Sequence, residues 1–357
     1  MPSTPERRVL VTGGAGFVGA NLAVALAQRH SDWELLALDN LMRRGSELNL
    51  PRLRAAGVRF EHGDVRISAD LARLPHVDSI VECSAEPSVV AGYEDSGNVV
   101  RTNLVGAWNC LELARRDAAQ VVFLSTSRVY PVAHLEALMV RETPTRFELC
   151  EEQPCRGAST AGISEDFPLE GSRTMYGASK LAAELLVEEA RAAFGVPAVI
   201  NRCGVIAGPW QMGKVDQGVF AFWLIAHRFG RPLRYLGFDG SGRQVRDLLH
   251  VADLGDLVAD QLARPEHWDG AVVNVGGGAD RSLSLRETTA LCQDLSGTEV
   301  PVTAVSEQRR GDVPVYVSDC RRLFGYTPWR PRRAPREVLA DTWEWICEHE
   351  SALRAAL

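Results

Sequence analysis

The apolar run Arg8-Val-Leu-Val-Thr12 breaks into Gly13-Gly14-Ala15-Gly16-Phe17-Val18-Gly19, and a helical pattern then continues to His30. A strand that turns on glycines into a helix is the opening of a βαβ unit. Glycines let the backbone approach a ligand closely, and the helix N-terminus offers N–H groups and a positive dipole end to a pyrophosphate. Glycine turns also serve ordinary connections, so the context of this one matters. The next apolar run, Trp33-Glu-Leu-Leu-Ala-Leu-Asp39, ends on a carboxylate 20 residues after Gly19. A carboxylate there accepts hydrogen bonds from the adenosine ribose hydroxyls and repels a 2′-phosphate, which favours NAD. Arg43 and Arg44 lie just beyond and leave NADP open.

The alternation continues. Val58–Glu61 and Ser79–Glu82 read as a third and a fourth strand, and Asn98–Arg116 reads as a helix. Val121–Ser125 is a β-rich run, Tyr176–Phe194 an Ala/Leu/Glu-rich helix and Pro197–Asn201 a further strand. This order predicts an α/β fold with a doubly wound parallel sheet. The stretch 131–173 lacks periodicity and reads as a long insertion beside the site. After residue 201 the pattern turns irregular, and amphipathic segments return at Ala252–Leu262, Leu285–Leu295 and Arg336–Glu348. The expected division is residues 1–200 as the NAD-binding domain with the catalytic helix. Residues 201–357 would form mainly a smaller substrate-binding lid, interleaved with it.

Of 39 basic residues, only Lys180 and Lys214 are lysines. Arg does not replace Lys where chemistry needs a compact, tunable ammonium, so both are singled out. Lys180 lies four residues after Tyr176, on one face of a helix. Free tyrosine ionises near about pH 10, too high for a neutral-pH base. A nearby ammonium and the positive nicotinamide ring lower that value, which suits Tyr176 to take a proton from a sugar hydroxyl. The hydroxyl run Ser125-Thr126-Ser127 ends a strand, where such sheets bind ligands.

These features together resemble the extended short-chain dehydrogenases/reductases of the nucleotide-sugar class, over nearly the whole chain. The resemblance rests on the glycine turn, Asp39, Asp64-Val65, Ser125–Tyr130, Tyr176–Lys180 and Arg246-Asp-Leu-Leu-His250. Within the class, Asp39-Asn-Leu, Arg141-Glu-Thr-Pro-Thr-Arg-Phe, Asp216-Gln-Gly and Gly242–His250 are most similar to the CDP-paratose 2-epimerase (CDP-tyvelose epimerase) group. The resemblance implies a Rossmann-type sheet, NAD, a nucleotide-diphosphate sugar substrate and a homodimer paired through two helices. It implies Thr126, Tyr176 and Lys180 as the catalytic set. For the cofactor it implies Gly13, Gly16, Phe17, Val18, Gly19, Asp39, Asn40, Asp64, Val65, Ser84, Ala85, Asn103 and Ser125, together with Tyr176 and Lys180. For the substrate it implies Glu86, Ser127, Arg128, Cys203, Gln211, Gln217, Gln244, Arg246, Arg309 and Asp312. Lys214 joins these from its loop, Gly208–Gly218.

The expected chemistry is epimerisation through a transient keto-sugar, at C2 by resemblance. A nucleotide-sugar 4-epimerase, a net dehydrogenase or reductase, and a non-catalytic dinucleotide sensor are the alternatives. Sugar 4,6-dehydratases of the class carry Asp-Glu directly after the catalytic Thr, and this chain has Ser127 and Arg128. Net charge of −7 without a like-charge block suggests neither nucleic acid nor a membrane surface as partner. The eight cysteines contain no Cys-x-x-Cys pair, and the histidines are dispersed. No metal is therefore expected, and free thiols in a cytoplasmic setting are. Glu165 and Asp166 precede Tyr176 closely and read as solvated loop charges.

Overall fold

The computed structural model describes residues 5–213 and 217–356. Seven strands build the central sheet: β1 Arg7–Thr12, β2 Trp33–Asp39, β3 Arg59–His62, β4 Ser79–Glu82, β5 Gln120–Thr126, β6 Ala198–Cys203 and β7 Val272–Val275. Their spatial order is β7-β6-β5-β4-β1-β2-β3, and β1 pairs in parallel with both β2 and β4. The order reverses direction at β1, and the crevice above such a switch point is where α/β sheets bind ligands. Helices cover both faces of a parallel sheet, so its strands read as apolar runs. Val9, Leu10, Val11, Leu36, Ile80, Val81 and Val122 are accordingly buried. Each such side chain contributes about 1.5–3 kcal/mol.

The chain divides into two compact units. The first comprises Met1–Thr126, Met175–Arg202 and Leu254–Val272. The second comprises Ser127–Thr174, Cys203–Asp253 and Val273–Leu357. The two units interleave along the chain. The insertion belongs with the later segments because it packs there: Phe147 shares a small core with Val245, Val315 and Val317. It also has regular structure, a helix at Val132–Glu136 and the hairpin Val140–Glu142/Phe147–Leu149.

In the first unit, helix α1 (Phe17–Arg29) buries Leu22, Ala23 and Leu26. Helices α2 (Gly106–Asp117) and α3 (Met175–Phe194) lie on the face whose core holds Phe123, Cys110, Leu111, Ala183 and Val187. The expected continuous helix over 98–116 is instead interrupted by a π-helical turn at Arg101–Val105. The widened turn carries buried Asn103, whose amide bonds across to other elements. Such π turns cluster at functional sites.

In the second unit, Val245–His250 pairs in parallel with Val205–Ala207 and with Val315–Tyr316, and antiparallel with Ser282–Ser284. The helices Val219–Phe229, Leu285–Ser296 and Pro335–Glu348 pack together around Phe220, Leu224, Cys292, Val338 and Ile346. All eight cysteines are free thiols. Among the described residues no group of side chains is arranged to hold a metal, and no helix is long and apolar enough to cross a membrane.

Candidate active site

The glycine turn is shaped for close approach. Gly13 has φ +60°, and a Cβ on Gly19 would lie 2.2 Å from the Gly13 carbonyl oxygen. No larger residue fits at Gly19 without moving the turn. Gly16 begins α1, and no side chain caps the helix there. The first-turn N–H groups of Phe17 and Val18 have no intrahelical acceptor, the feature by which helix starts hold anions. Asp39, at the end of β2, accepts from the N–H of Ala15 at 3.1 Å and of Leu41 at 2.8 Å. Burial raises its pKa, while those N–H groups pull the other way.

Further along the sheet edge, Asn40 Nδ2 donates to Asp64 Oδ2 at 3.0 Å, and Arg66 Nε donates to Asp64 Oδ1 at 2.9 Å. Burial would raise the Asp64 carboxyl, but the hydrogen bonds from Arg66 and Asn40 hold it at about 2. The Val65 side chain is buried under α2, where a Cβ on Gly106 would meet it at 2.7 Å. These residues fit NAD: a glycine cradle, an uncapped helix start, and a carboxylate on the adenosine side.

The π turn positions the loop after β4. Asn103 Oδ1 accepts the Glu86 N–H at 2.8 Å, and its Nδ2 donates to Ser179 Oγ at 3.0 Å. Ser179 in turn donates to the Tyr176 carbonyl at 2.9 Å. Asn103 thus ties the segment containing Ser84, Ala85 and Glu86 to the first turn of α3. That role depends on a contact 76 residues distant, and sequence alone does not show it.

Tyr176, Lys180 and Glu184 repeat every four residues, which puts them on one stripe of α3, about 6 Å apart along the axis. Glu184 is buried at the far end of the stripe. It accepts from the Ser125 hydroxyl and from Arg202, whose Nη2 lies 2.8 Å away. Lys180 comes next, and Nζ sits 3.2 Å from Glu82 Oε2 and 4.2 Å from the Phe123 ring centroid. Tyr176 is half-buried and begins the stripe, and Thr126 closes β5 in the same unit. The first unit therefore gathers Thr126, Tyr176, Lys180 and every residue expected at the cofactor.

Glu82 was not anticipated. It ends β4 with only 1% exposure and shares the interior with Lys180. Burial raises its pKa, opposed by the charge and hydrogen bond of Lys180 and by the Ser84 N–H. A sequence signal existed: Glu82 is the one acidic residue in the apolar run Ser79–Glu82.

The second unit contains a pocket of about 380 Å³. Arg128, Gln217, Gln244, Arg246, Arg309 and Asp312 line it, so six of the expected substrate residues meet there. Arg234 adds a fourth guanidinium, and Phe220, Phe222 and Trp223 supply an aromatic wall. Arg246 donates Nη1 to the Val245 carbonyl at 2.7 Å and Nη2 to Asp312 and the Val313 carbonyl. Burial lowers its pKa, against Asp312, and two of its five N–H donors are left for a ligand. Arg128 Nη1 donates to the Gly311 carbonyl at 2.7 Å. Gln244 Nε2 is held by the Leu236 carbonyl at 3.0 Å, so its orphaned buried atom is the acceptor Oε1. Gln217 has the reverse, a buried donor Nε2 without a partner among the described residues.

Ser127, Cys203 and Gln211 do not line this pocket. Cys203 is buried, and Gln211 Nε2 donates to the Ile206 carbonyl at 3.0 Å. Glu86 belongs to the first unit. Lys214 lies outside the described residues. Glu165 is not a solvated loop charge: it is buried and accepts the Asn274 N–H at 2.6 Å, because the insertion packs within the second unit. Asp166 is exposed, 2.7 Å from Arg322.

Comparison with known proteins agrees with this chemistry. The chain is 29% identical over 350 residues to CDP-paratose 2-epimerase of Salmonella typhi, covering 95% of this chain and 98% of that one. It is 30% identical over 351 residues to dTDP-glucose 4,6-dehydratase of Streptomyces antibioticus, covering 96% and 93%. The UDP-glucose 4-epimerase of Thermus thermophilus, solved with NAD, superposes with a TM-score of 0.76 at 26% identity, covering 98% of this chain and 100% of that one. The family model described as NAD dependent epimerase/dehydratase matches residues 9–276. A glycine cradle with Asp39, a Tyr176–Lys180 stripe and a match over three quarters of its length place this chain in the NAD dependent epimerase/dehydratase family.

Proposed function

We propose that this protein inverts C2 of a nucleotide-linked hexose, a reaction of the CDP-paratose/CDP-tyvelose type. The observation that favours an epimerase over a dehydratase is the identity of the two residues after Thr126, and the likeness to CDP-paratose 2-epimerase supports C2. Elimination of water from a sugar needs an acid and a base beside the catalytic hydroxyl. This chain has Ser127 and Arg128 there, and the Arg128 guanidinium is held at the Gly311 carbonyl in the arginine pocket. Epimerisation needs only one proton-transfer group, and Tyr176 supplies it.

Each residue then has a task. Arg246, with Arg128 and Arg309, holds the diphosphate, since guanidinium forks match phosphate oxygens. Gln244 Oε1 accepts from the nucleobase, and Gln217 Nε2 donates to it. The Thr126 hydroxyl hydrogen-bonds the reacting sugar oxygen, and Tyr176 removes its proton and later returns it. Lys180 keeps positive charge beside Tyr176, which favours the phenolate. NAD, held by Gly13–Gly19 and Asp39, supplies the two-electron exchange when bound. The keto-sugar turns over between the two halves of the cycle.

The expected product has the mass of the substrate. Mass spectrometry of the incubated nucleotide sugars tests this, and a product lighter by one water would replace the epimerase reading with the dehydratase. Deuterium placed at C2 should be retained in the epimerised product and pass through the reaction. Turnover through C4 would instead show an isotope effect for label at that carbon.

We also propose a homodimer. Trp108 on α2 and Met175, Leu185 and Phe194 on α3 are 37%, 38%, 60% and 50% exposed. Large apolar side chains concentrated on neighbouring helices mark an interaction face. Light scattering at micromolar concentration should give twice the chain mass, and Leu185→Glu should halve it. A monomeric mass for the parent protein would refute the assembly.

A further inference from the structure

We propose that Glu82 is a positioning residue that sets the charge around Tyr176 and thereby the pH at which the site works. The proposal rests on Tyr176 being the proton-transfer group. Glu82 and Lys180 form an ion pair at 3.2 Å with both side chains 2% exposed. With NAD bound, two positive charges would bear on Tyr176: the Lys180 ammonium, one turn along the same helix face, and the nicotinamide ring. Both favour the phenolate. A base works best when its ionisation lies near the operating pH, because a phenolate that is too stable takes a proton poorly. Glu82 cancels one of the two charges and keeps Tyr176 basic.

The surroundings leave Glu82 as the group able to do this. Opposite Lys180, β5 presents the Phe123 ring, which carries no net charge. From α2 comes the Cys110 thiol, pushed well up by burial and by Glu82, and so neutral. One turn further along α3, the Glu184 carboxylate is engaged by Ser125 and Arg202. Asn103 and Ser179, between α3 and the π turn, are neutral amide and hydroxyl. Thr12 and Phe123 flank Glu82 in the sheet register, so β1 and β5 bring no second carboxylate.

The test reads the ionisation of Tyr176 directly, in the NAD-loaded protein without substrate. Tyrosinate absorbance is followed against pH for the parent and for Tyr176→Phe, and the difference isolates Tyr176. The same pair is measured in the Glu82→Gln background, where the amide keeps the shape and an acceptor. The Tyr176 midpoint should fall by about one pH unit on loss of a unit charge at this range. Where a substrate is in hand, the low-pH limb of kcat/KM should move down with it. Glu82→Asp keeps the charge but withdraws it by one methylene. It should give a smaller fall, and it replaces Glu82→Gln if that variant does not fold.

A Tyr176 midpoint unchanged within ~0.3 unit in the folded variant would overturn the proposal. A purely structural role would lower the melting temperature and leave the midpoint where it was. Failure of the Tyr176 reading is a separate result: Tyr176→Phe would keep its turnover, whatever the Glu82 variants do.

Discussion

Tyr176→Phe is expected to lose turnover by ~10²–10⁴, the range for removal of a general base, while keeping its fold and its NAD. In the proposed mechanism the phenolic oxygen carries the proton chemistry, and the ring survives the change. The helix around it is held independently: Ser179 bonds the residue-176 carbonyl, Asn103 bonds Ser179, and Lys180 and Glu184 keep their buried partners. Turnover of nucleotide sugar is the first measurement, and NAD content and melting temperature are the controls. Near-parent turnover would remove Tyr176 from the mechanism.

The second large effect is expected in the arginine pocket. Arg246→Lys should raise KM for the nucleotide sugar roughly 30- to 150-fold, the loss of about 2–3 kcal/mol that accompanies a missing charged hydrogen bond. A lysine keeps the charge but not the fork. It cannot bond Asp312, the Val245 carbonyl and the Val313 carbonyl while still presenting donors to a diphosphate. NAD content should be unchanged, because the residues proposed to hold NAD lie in the other unit. A KM within threefold of the parent would show that Arg246 only braces Asp312 and the Val313 carbonyl.

Much of the first unit was legible because its signals are local. Gly13, Gly16 and Gly19 sit within one turn and the start of one helix, and Asp39 ends the next strand. Tyr176 and Lys180 face the same way by helical spacing alone. The pocket arginines were legible only through family resemblance, since an arginine in an arginine-rich chain carries no spacing signal of its own. The π turn at Arg101–Val105 was not legible, because the periodicity of Asn98–Arg116 also fits an ordinary helix. Glu165 was misread for the opposite reason. Its flanking residues are those of a surface loop, and only packing against the Asn274 segment buries it.

From residue order alone came the alternation of strands and helices, the glycine turn, the carboxylate of Asp39 at the end of β2 and the pairing of Tyr176 with Lys180 on one helix face. All of these come from the order of residues along a few turns. What surrounds them depends on packing between distant segments. Neighbouring strands in a parallel sheet come from chain segments separated by crossover helices, so Lys180 on α3 meets Glu82 of β4 across 98 residues; packing of loops likewise brings Arg128 to the Gly311 carbonyl across 183. The charge environment of Lys180 is therefore a property of the packed interior. There, removal from water makes an ion pair count for more than the same two residues would on a surface.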